Sequence, residues 1–303
     1  MSGKKTIKRL IVIAGPTASG KTATSIALAR HYNTGIISAD SRQFYRELKI
    51  GTAAPTPEEL AAAKHHFIGH LSIYDYYNAS QFEQDAIGTI EDIFTRHDVI
   101  IMTGGSGLYI DAVCNGIDDL PDPSPELRGE LKLLFEQQGI DPLQEMLLKY
   151  DPEYYRIVDL NNSKRILRAL EVSITAGKPY SLLRNKVPKK RSFEVTTIGL
   201  YCERDILNNR IHDRVDLMLK NGLLEEAMEY YPVKHLNALN TVGYKELYAW
   251  KDGIVDFAQA IEDIKTNTRR YAKRQMTWFR KNKDIQWVPY DDLNNIYRIL
   301  NTV

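Results

Sequence analysis

A buried strand that runs straight into a glycine-rich turn and then a helix leaves few folds open to this chain. Leu10-Ile-Val-Ile-Ala14 is a continuous apolar run rich in β-branched residues, the pattern of a strand covered on both faces. Gly15-Pro-Thr-Ala-Ser-Gly-Lys-Thr22 comes next and fits G-x-x-x-x-G-K-[ST], and Ala23 to His31 is a good helix sequence. Glycines in such a turn let backbone N–H groups point inward around phosphate oxygens, and the helix N-terminus adds partial positive charge. Lys21 supplies a point charge to terminal phosphates, and the Thr22 hydroxyl can ligate Mg²⁺. Gly15, Pro16, Thr17, Ala18, Ser19, Gly20, Lys21 and Thr22 are therefore read together as a phosphate cradle. The motif implies a di- or triphosphate ligand and is silent on the reaction.

Strand and helix patterns alternate beyond it. Ile36-Ile37 begins a short strand ending at Asp40, and Asp98-Val-Ile-Ile-Met102 reads as another buried strand. Between them a helix is expected from Ser80 to Arg96, with Ser80 as N-cap and Glu83 as its capping-box partner. Alternation of this kind implies an α/β fold, a mostly parallel sheet of the P-loop NTPase type flanked by helices. Three prolines in Asp118-Asp-Leu-Pro-Asp-Pro-Ser-Pro125 then break the pattern. Helical spacing runs from Glu126 to about Ala176, and strand character returns at Val195 to Tyr201. Helices run from Arg204 to about Lys281, and Ile285-Gln-Trp-Val288 offers a last strand. The expected organisation is a discontinuous core, 1–117 and 192–303, carrying a helical insertion over 118–191.

The strand ends carry the next chemical signal. An ATPase or GTPase usually presents an apolar strand ending in a Mg²⁺-binding Asp. Here the strand at Val99 to Met102 ends in Thr103-Gly-Gly-Ser-Gly107, small residues past which a ligand can approach closely. The acid stands on a different strand end, in Ser38-Ala-Asp-Ser-Arg-Gln43. Ligands of open α/β sheets bind outside the carboxyl ends of the strands, so Asp40 and Ser106 are both expected near the phosphate loop. Asp40 can be a metal ligand, a general base or a helix cap, and a base facing a bound phosphate ester is the sharper reading.

Charge is the feature most easily misread. Lys and Arg total 40 against 39 Asp and Glu, a net +1 that at first argues against a nucleic-acid partner. Yet Lys265 to Lys283 holds eight basic residues and no acid, interleaved with Tyr271, Trp278 and Phe279, and Arg184 to Arg191 holds five more. Subtracting those 8 and 5 from 40 leaves 27 basic against 39 acidic residues, so the charge is segregated and RNA is not excluded. Cys114 and Cys202 stand far apart in no metal or redox spacing, which suits a reducing compartment. Lys4, Lys5, Lys8 and Arg9 precede an apolar run too short for a secretory signal, and no stretch is long enough to span a bilayer. A cytoplasmic protein is expected, without a membrane partner and as a monomer. The cluster His65-His66…His70 lacks a third ligand type at zinc spacing.

With these residues in view, the chain resembles the tRNA dimethylallyltransferases, also called tRNA isopentenyltransferases. The likeness covers nearly the whole chain. It rests on the phosphate loop together with Asp40-Ser-Arg-Gln43, Ile50-Gly-Thr-Ala53, Gly104-Gly-Ser-Gly-Leu-Tyr109, Lys164-Arg-Ile-Leu-Arg168 with Ala169-Leu-Glu171, Val242-Gly-Tyr-Lys-Glu246 and Ala272-Lys-Arg-Gln275 with Thr277-Trp-Phe-Arg280. Three departures from the family pattern stand out: Ala54 where Lys is frequent, Ser106 where Thr is frequent, and the pair Gly69-His70 in place of an acidic end. Eukaryotic members carry a C-terminal zinc finger, and no cysteine follows Cys202, so the resemblance is to the bacterial type.

The resemblance implies transfer of a dimethylallyl group from its diphosphate to N6 of the adenine immediately 3′ of the anticodon. The tRNAs concerned are those reading codons that start with U. Diphosphate would then be the leaving group, stabilised by the loop N–H groups, Lys21 and Mg²⁺ on Thr22. Asp40 is the base implied for the adenine amine, and Ser106 a hydrogen-bond donor at the same centre. By the same resemblance Asp40, Ser41, Arg42 and Gln43 contact the target base, and Ser106 is a further tRNA-binding residue. Lys164, Arg165, Ile166, Leu167 and Arg168 contact the anticodon region, and Arg128 is a further RNA contact. The competing readings are a P-loop kinase or prenyltransferase acting on free nucleotides, and a non-catalytic phosphate-gated RNA-binding protein.

Overall fold

The computed structural model describes residues 7–184 and 187–302; Lys4, Lys5 and Lys186 of the basic stretches lie outside the described residues. The apolar run of the sequence forms β1 (Arg9–Ala14), in which Leu10 to Ala14 are fully buried. Five further strands pair around it: β2 (Ile36–Ser38), β3 (His65–His66), β4 (Val99–Gly104), β5 (Glu194–Tyr201) and β6 (Gln286–Pro289). They form one parallel sheet in the order β3-β2-β4-β1-β5-β6, with β1 between β4 and β5. This is the α/β, P-loop-type architecture expected from the alternation of patterns.

Both sheet faces are covered, which is why these strands are apolar throughout rather than alternating. Leu10, Val12 and Ala14 pack on one face with Ile100, Met102, Phe82 and Ile110. Ile11 and Ile13 pack on the other with Leu28, Ile101, Ile198 and Leu200. Each such fully buried Leu, Ile or Val stabilises the fold by ~1.5–3 kcal/mol relative to exposure. A third cluster joins Tyr45 and Leu48 to Val215, Leu223, Tyr244 and Leu247, seating the C-terminal helices.

The register brings three strand ends to one edge. Ala14 of β1 pairs with Gly104 of β4, and Ser38 of β2 pairs with Thr103 of β4. The loops after β1, β4 and β2 are therefore neighbours by construction.

The expected helix cap proves to lie elsewhere. The helix begins at Ala79, and Asn78 rather than Ser80 is its N-cap, accepting from the N–H groups of Ser80 and Gln81. Gln81 completes the capping box by accepting the Asn78 N–H at 2.9 Å. Asn caps as well as Ser does, so the signature is present two residues earlier. Glu83 is instead turned inward, where its carboxylate accepts from Arg191 at 2.8 Å with 5% of its side chain exposed. Arg191 also donates to the Ala112 carbonyl, so this member of the basic stretch is turned into the protein.

Chain contacts divide the protein into two units, residues 1–115 with 190–303, and residues 116–189. In the second unit the helices Pro125–Gln138, Asp141–Tyr150 and Ser163–Ala176 pack around Leu131, Leu143, Leu147, Ile166 and Leu170. Asp151 is fully buried there and accepts from the N–H of Tyr154 and from the N–H and hydroxyl of Ser181. Among the described residues no helix is long and apolar enough to cross a membrane.

Candidate active site

The phosphate loop connects β1 to the helix Lys21–His31. Gly20 caps that helix in the left-handed region, and Ala18 adopts φ +65, a conformation non-glycine residues seldom take. Arg210 holds the Ala18 carbonyl at 2.7 Å, and Ala18 packs on Ile211 and Ala272. Not every loop residue is equally available to a ligand. The Thr17 N–H is spent on Gln275 and the Ser19 N–H on Pro16, whereas Lys21 and Thr22 open the helix, where N–H groups lack intrahelical partners.

Lys21 donates its Nζ to the Pro16 carbonyl at 2.7 Å. Burial lowers its pKa to about 8, partly opposed by Asp40 and reinforced by Arg214. Asp40 lies two residues past the end of β2. Desolvation raises its pKa above the ordinary carboxylate value, while the Arg42 N–H, Lys21, Arg42 and Arg214 pull it back down. The Arg42 N–H donates to the Asp40 carboxylate at 3.1 Å. A lysine and an aspartate are thus drawn toward each other's titration range by the same low-dielectric setting.

The glycine loop after β4 reaches the same place. A Cβ on Gly104 would lie 2.4 Å from the Ala39 carbonyl oxygen, so only glycine lets this loop pass the residue before Asp40. The Ser106 hydroxyl accepts the Ser41 N–H at 3.1 Å and lies 3.1 Å from the Ser41 hydroxyl. Tyr271 reaches Ser106 as well, and burial together with the charge of Asp40 raises its hydroxyl pKa. Arg42 sends its guanidinium away, to the carbonyls of Asn237 and Ala238. Gln43 donates its amide N–H groups to the carbonyls of Thr52 and Ala53, anchoring the Ile50-Gly-Thr-Ala53 turn.

Three residues of this centre carry no role assigned from the sequence, although Gln275 closes the Ala272-Lys-Arg-Gln275 run on which the resemblance rests. Arg214 donates to the Thr17 hydroxyl at 3.2 Å and Arg210 lies over the Tyr290 ring, both from the helix Arg204–Lys220. Gln275 bridges two loops, accepting from the Thr17 N–H at 2.8 Å and donating to the Gly105 carbonyl at 2.9 Å. Arg210 and Arg214 stand four apart on one helix face, a spacing visible in the sequence but without a partner to give it meaning.

The candidate RNA residues of the helical unit divide by burial. Lys164 and Arg165 are exposed at the start of the helix Ser163–Ala176. Ile166 is fully buried in the core of that unit and Leu167 packs partly against it. Helical periodicity explains the difference, since consecutive residues point about 100° apart. Arg128 and Arg168 both approach Glu171, at 3.5 and 3.7 Å. On the basic helix Phe257–Phe279, Arg270, Lys273 and Arg274 are exposed. Lys265 is paired to Asp216, and Arg269 is engaged with His212 and Thr266. In the other basic stretch Arg184 lies over the rings of Tyr154 and Tyr180.

Comparison with known proteins is consistent along the whole chain. A model of the IPP transferase family matches residues 43–282. The tRNA dimethylallyltransferase of Christiangramia forsetii is 55% identical over 283 residues, covering 93% of this chain and 94% of that protein. The crystal structure of the full-length tRNA isopentenylpyrophosphate transferase from Bacillus halodurans superposes with a TM-score of 0.71. It is 35% identical and covers 97% of this chain and 96% of its own. A eukaryotic dimethylallyltransferase captured acting on tRNA gives a TM-score of 0.78 at 29% identity, covering 95% of this chain and 75% of its own.

Proposed function

The chain belongs to the tRNA dimethylallyltransferase (IPP transferase) family, and from that premise we propose the reaction its site performs. A dimethylallyl group moves from dimethylallyl diphosphate to N6 of the adenosine immediately 3′ of the anticodon, in tRNAs reading codons that start with U. Diphosphate leaves. The observation that carries this reading is the place of Asp40, just past the end of β2 beside the phosphate and glycine loops, with the Arg42 N–H on its carboxylate at 3.1 Å.

The exocyclic amine of adenine is a weak nucleophile because its lone pair is delocalised into the ring. As N6 bonds to the allylic carbon, Asp40 takes the departing N6 proton, and the electron pair of the breaking C–O bond goes to diphosphate. A raised carboxylate pKa makes Asp40 a stronger base, and the cations around it keep it ionised until it is used. The N–H groups that open the helix at Lys21, the Lys21 ammonium and the Arg214 guanidinium stabilise the charge growing on the leaving oxygens. Ser106 holds the segment after Asp40 through the Ser41 N–H.

The donor set fits Mg²⁺. Thr22 is half-buried at the opening of the helix, and a hydroxyl beside diphosphate oxygens is a hard oxygen set of the kind this ion prefers. When bound, the ion supplies Lewis-acid charge to the diphosphate. The adenine must leave the anticodon-loop stack, at a cost of about a few kcal/mol. Lys164 and Arg165, with Arg128 and Arg168 around Glu171, present positive charge suited to the anticodon-region backbone. Arg270, Lys273 and Arg274 offer a second set. Such a protein works in the cytoplasm on tRNA, and as a monomer.

The test is incubation with dimethylallyl diphosphate, Mg²⁺ and unmodified tRNA reading a codon that starts with U, followed by nucleoside analysis. N6-prenylated adenosine in the RNA supports the reading. Product from free AMP alone, or no product, refutes it.

A further inference from the structure

We propose that Gln275 is a positioning residue for this transfer, setting the distance between the loop that holds the diphosphate and the loop that carries Ser106. The inference rests on the prenyl-transfer reading above. Gln275 is 5% exposed and uses both ends of its carboxamide. The oxygen accepts the Thr17 N–H at 2.8 Å, and the nitrogen donates to the Gly105 carbonyl at 2.9 Å. Thr17 belongs to the loop after β1, and Gly105 to the loop after β4. The amide is thus a crosslink between the leaving-group side of the site and the side where the nucleophile arrives.

The fit is chemically narrow. The bridge needs one acceptor and one donor in a neutral, planar group; glutamine offers both at the end of one carboxamide, and asparagine is one methylene shorter. Ionised glutamate has only acceptors, would oppose the Gly105 carbonyl, and would bring negative charge to a loop meant for diphosphate. The partner strand end is fitted to the amide in turn, because a Cβ on Gly105 would lie 2.1 Å from the Gln275 nitrogen. That same Cβ would lie 3.9 Å from an Asp40 carboxylate oxygen, so the crosslink meets the glycine loop at the base itself.

Gln275 does not act alone on this loop. Tyr271, Gln275 and Trp278, spaced four and three apart, form one stripe of the helix Phe257–Phe279. Tyr271 reaches Ser106, Gln275 holds Gly105, and the Trp278 ring lies where a Gly107 Cβ would stand, 2.2 Å from its Cδ1. Trp278 is fastened by its own indole N–H to Asp111 at 2.9 Å. Three consecutive residues after β4 are therefore set by one helix face, and of the three side chains that set them Gln275 is the one with a hydrogen bond to the phosphate loop. Displacement at carbon needs nucleophile, carbon and leaving oxygen in line, and a misplacement of ~1 Å costs on the order of 10²-fold in rate.

The test compares wild type and Gln275→Met in single-turnover prenylation of tRNA. Dissociation constants for dimethylallyl diphosphate and tRNA are measured separately, and thermal melts confirm folding. For Gln275→Met the expected result is a rate loss on the order of 10²-fold, with both dissociation constants within about threefold of wild type. A folded Gln275→Met with a wild-type rate overturns the inference, and so does a rate loss matched by lost affinity for either substrate. Gly105→Ala probes the same link from the other strand end if Gln275→Met does not fold. Rate loss at unchanged affinities supports the inference there, and a wild-type rate overturns it. A wild-type chain that forms no prenylated RNA overturns the functional reading and this inference with it, whereas an active wild type with unaffected variants overturns the inference alone.

Discussion

The ammonium of Lys21 donates to the carbonyl oxygen of Pro16 across 2.7 Å, so this lysine lies folded back on the loop it serves. Burial has brought its pKa down to about 8 in the free protein. The charge that greets the diphosphate is accordingly present below that value and lost as pH rises through it. kcat/KM for dimethylallyl diphosphate reports free-enzyme groups and is expected to fall about tenfold per unit above this pH. Lys21→Arg keeps its proton and should lose the alkaline limb. A limb that survives in the arginine variant belongs to another group.

Asp40 shapes the acid side. Its pKa is raised by desolvation, so the base is protonated, and activity lost, at a pH above the ordinary carboxylate range. Asp40→Asn should lower the single-turnover rate by roughly 10²–10⁴-fold and abolish the acid limb. Binding of tRNA, followed by fluorescence anisotropy, should change little; equal loss of binding and rate would make Asp40 an RNA contact instead.

Ser106 separates a hydroxyl's role from a side chain's bulk. Ser106→Ala deprives the Ser41 N–H of its acceptor, at a cost of about 1 kcal/mol or more in local order, and should slow transfer. Ser106→Thr keeps the oxygen and should retain most of the rate. Identical rates in alanine and threonine variants would remove the hydroxyl from the mechanism.

Lys164 and Arg165 are exposed at the start of their helix, so they are expected to bind RNA phosphates through charge. Replacing either with alanine should reduce the slope of log affinity against log salt by about 0.7–0.9. Unchanged slopes would place the RNA backbone elsewhere on the protein.

Asp151 tests the helical unit. It is fully buried and accepts from Tyr154 and twice from Ser181, so Asp151→Ala leaves those donors without an acceptor. A loss of roughly 2–4 kcal/mol is expected in urea unfolding of the full chain. A change below about 0.5 kcal/mol would mean that the unit relaxes around the missing carboxylate.

The local patterns are legible because they depend on neighbours in the chain. Leu10 to Ala14 announce a strand buried on both faces, and Gly15 to Thr22 announce a phosphate-binding turn into a helix, since periodicity and glycine placement are written in consecutive residues. The cap at Asn78 is legible too, yet Ser80 two residues later satisfies the same rule, and only the backbone geometry separates them. Ile166 and Arg191 show what neighbours in the chain cannot decide. A motif names a run of residues, but only packing decides which of them face inward, and here Ile166 joins a core while Arg191 meets Glu83.

Sequence by itself determined the α/β class, the phosphate loop, the acid at the end of the next strand and the segregation of charge. Each depends on composition or spacing over a few residues. Tertiary structure alone decided that Thr17 and Gly105, 88 positions apart, are joined through Gln275, and that Arg214 stands over the loop. It also decided the titration of Lys21 and Asp40. A pKa shift and a crosslink both depend on what surrounds a group in space, and that environment exists only once the strands have paired and the helix Phe257–Phe279 has closed over their ends.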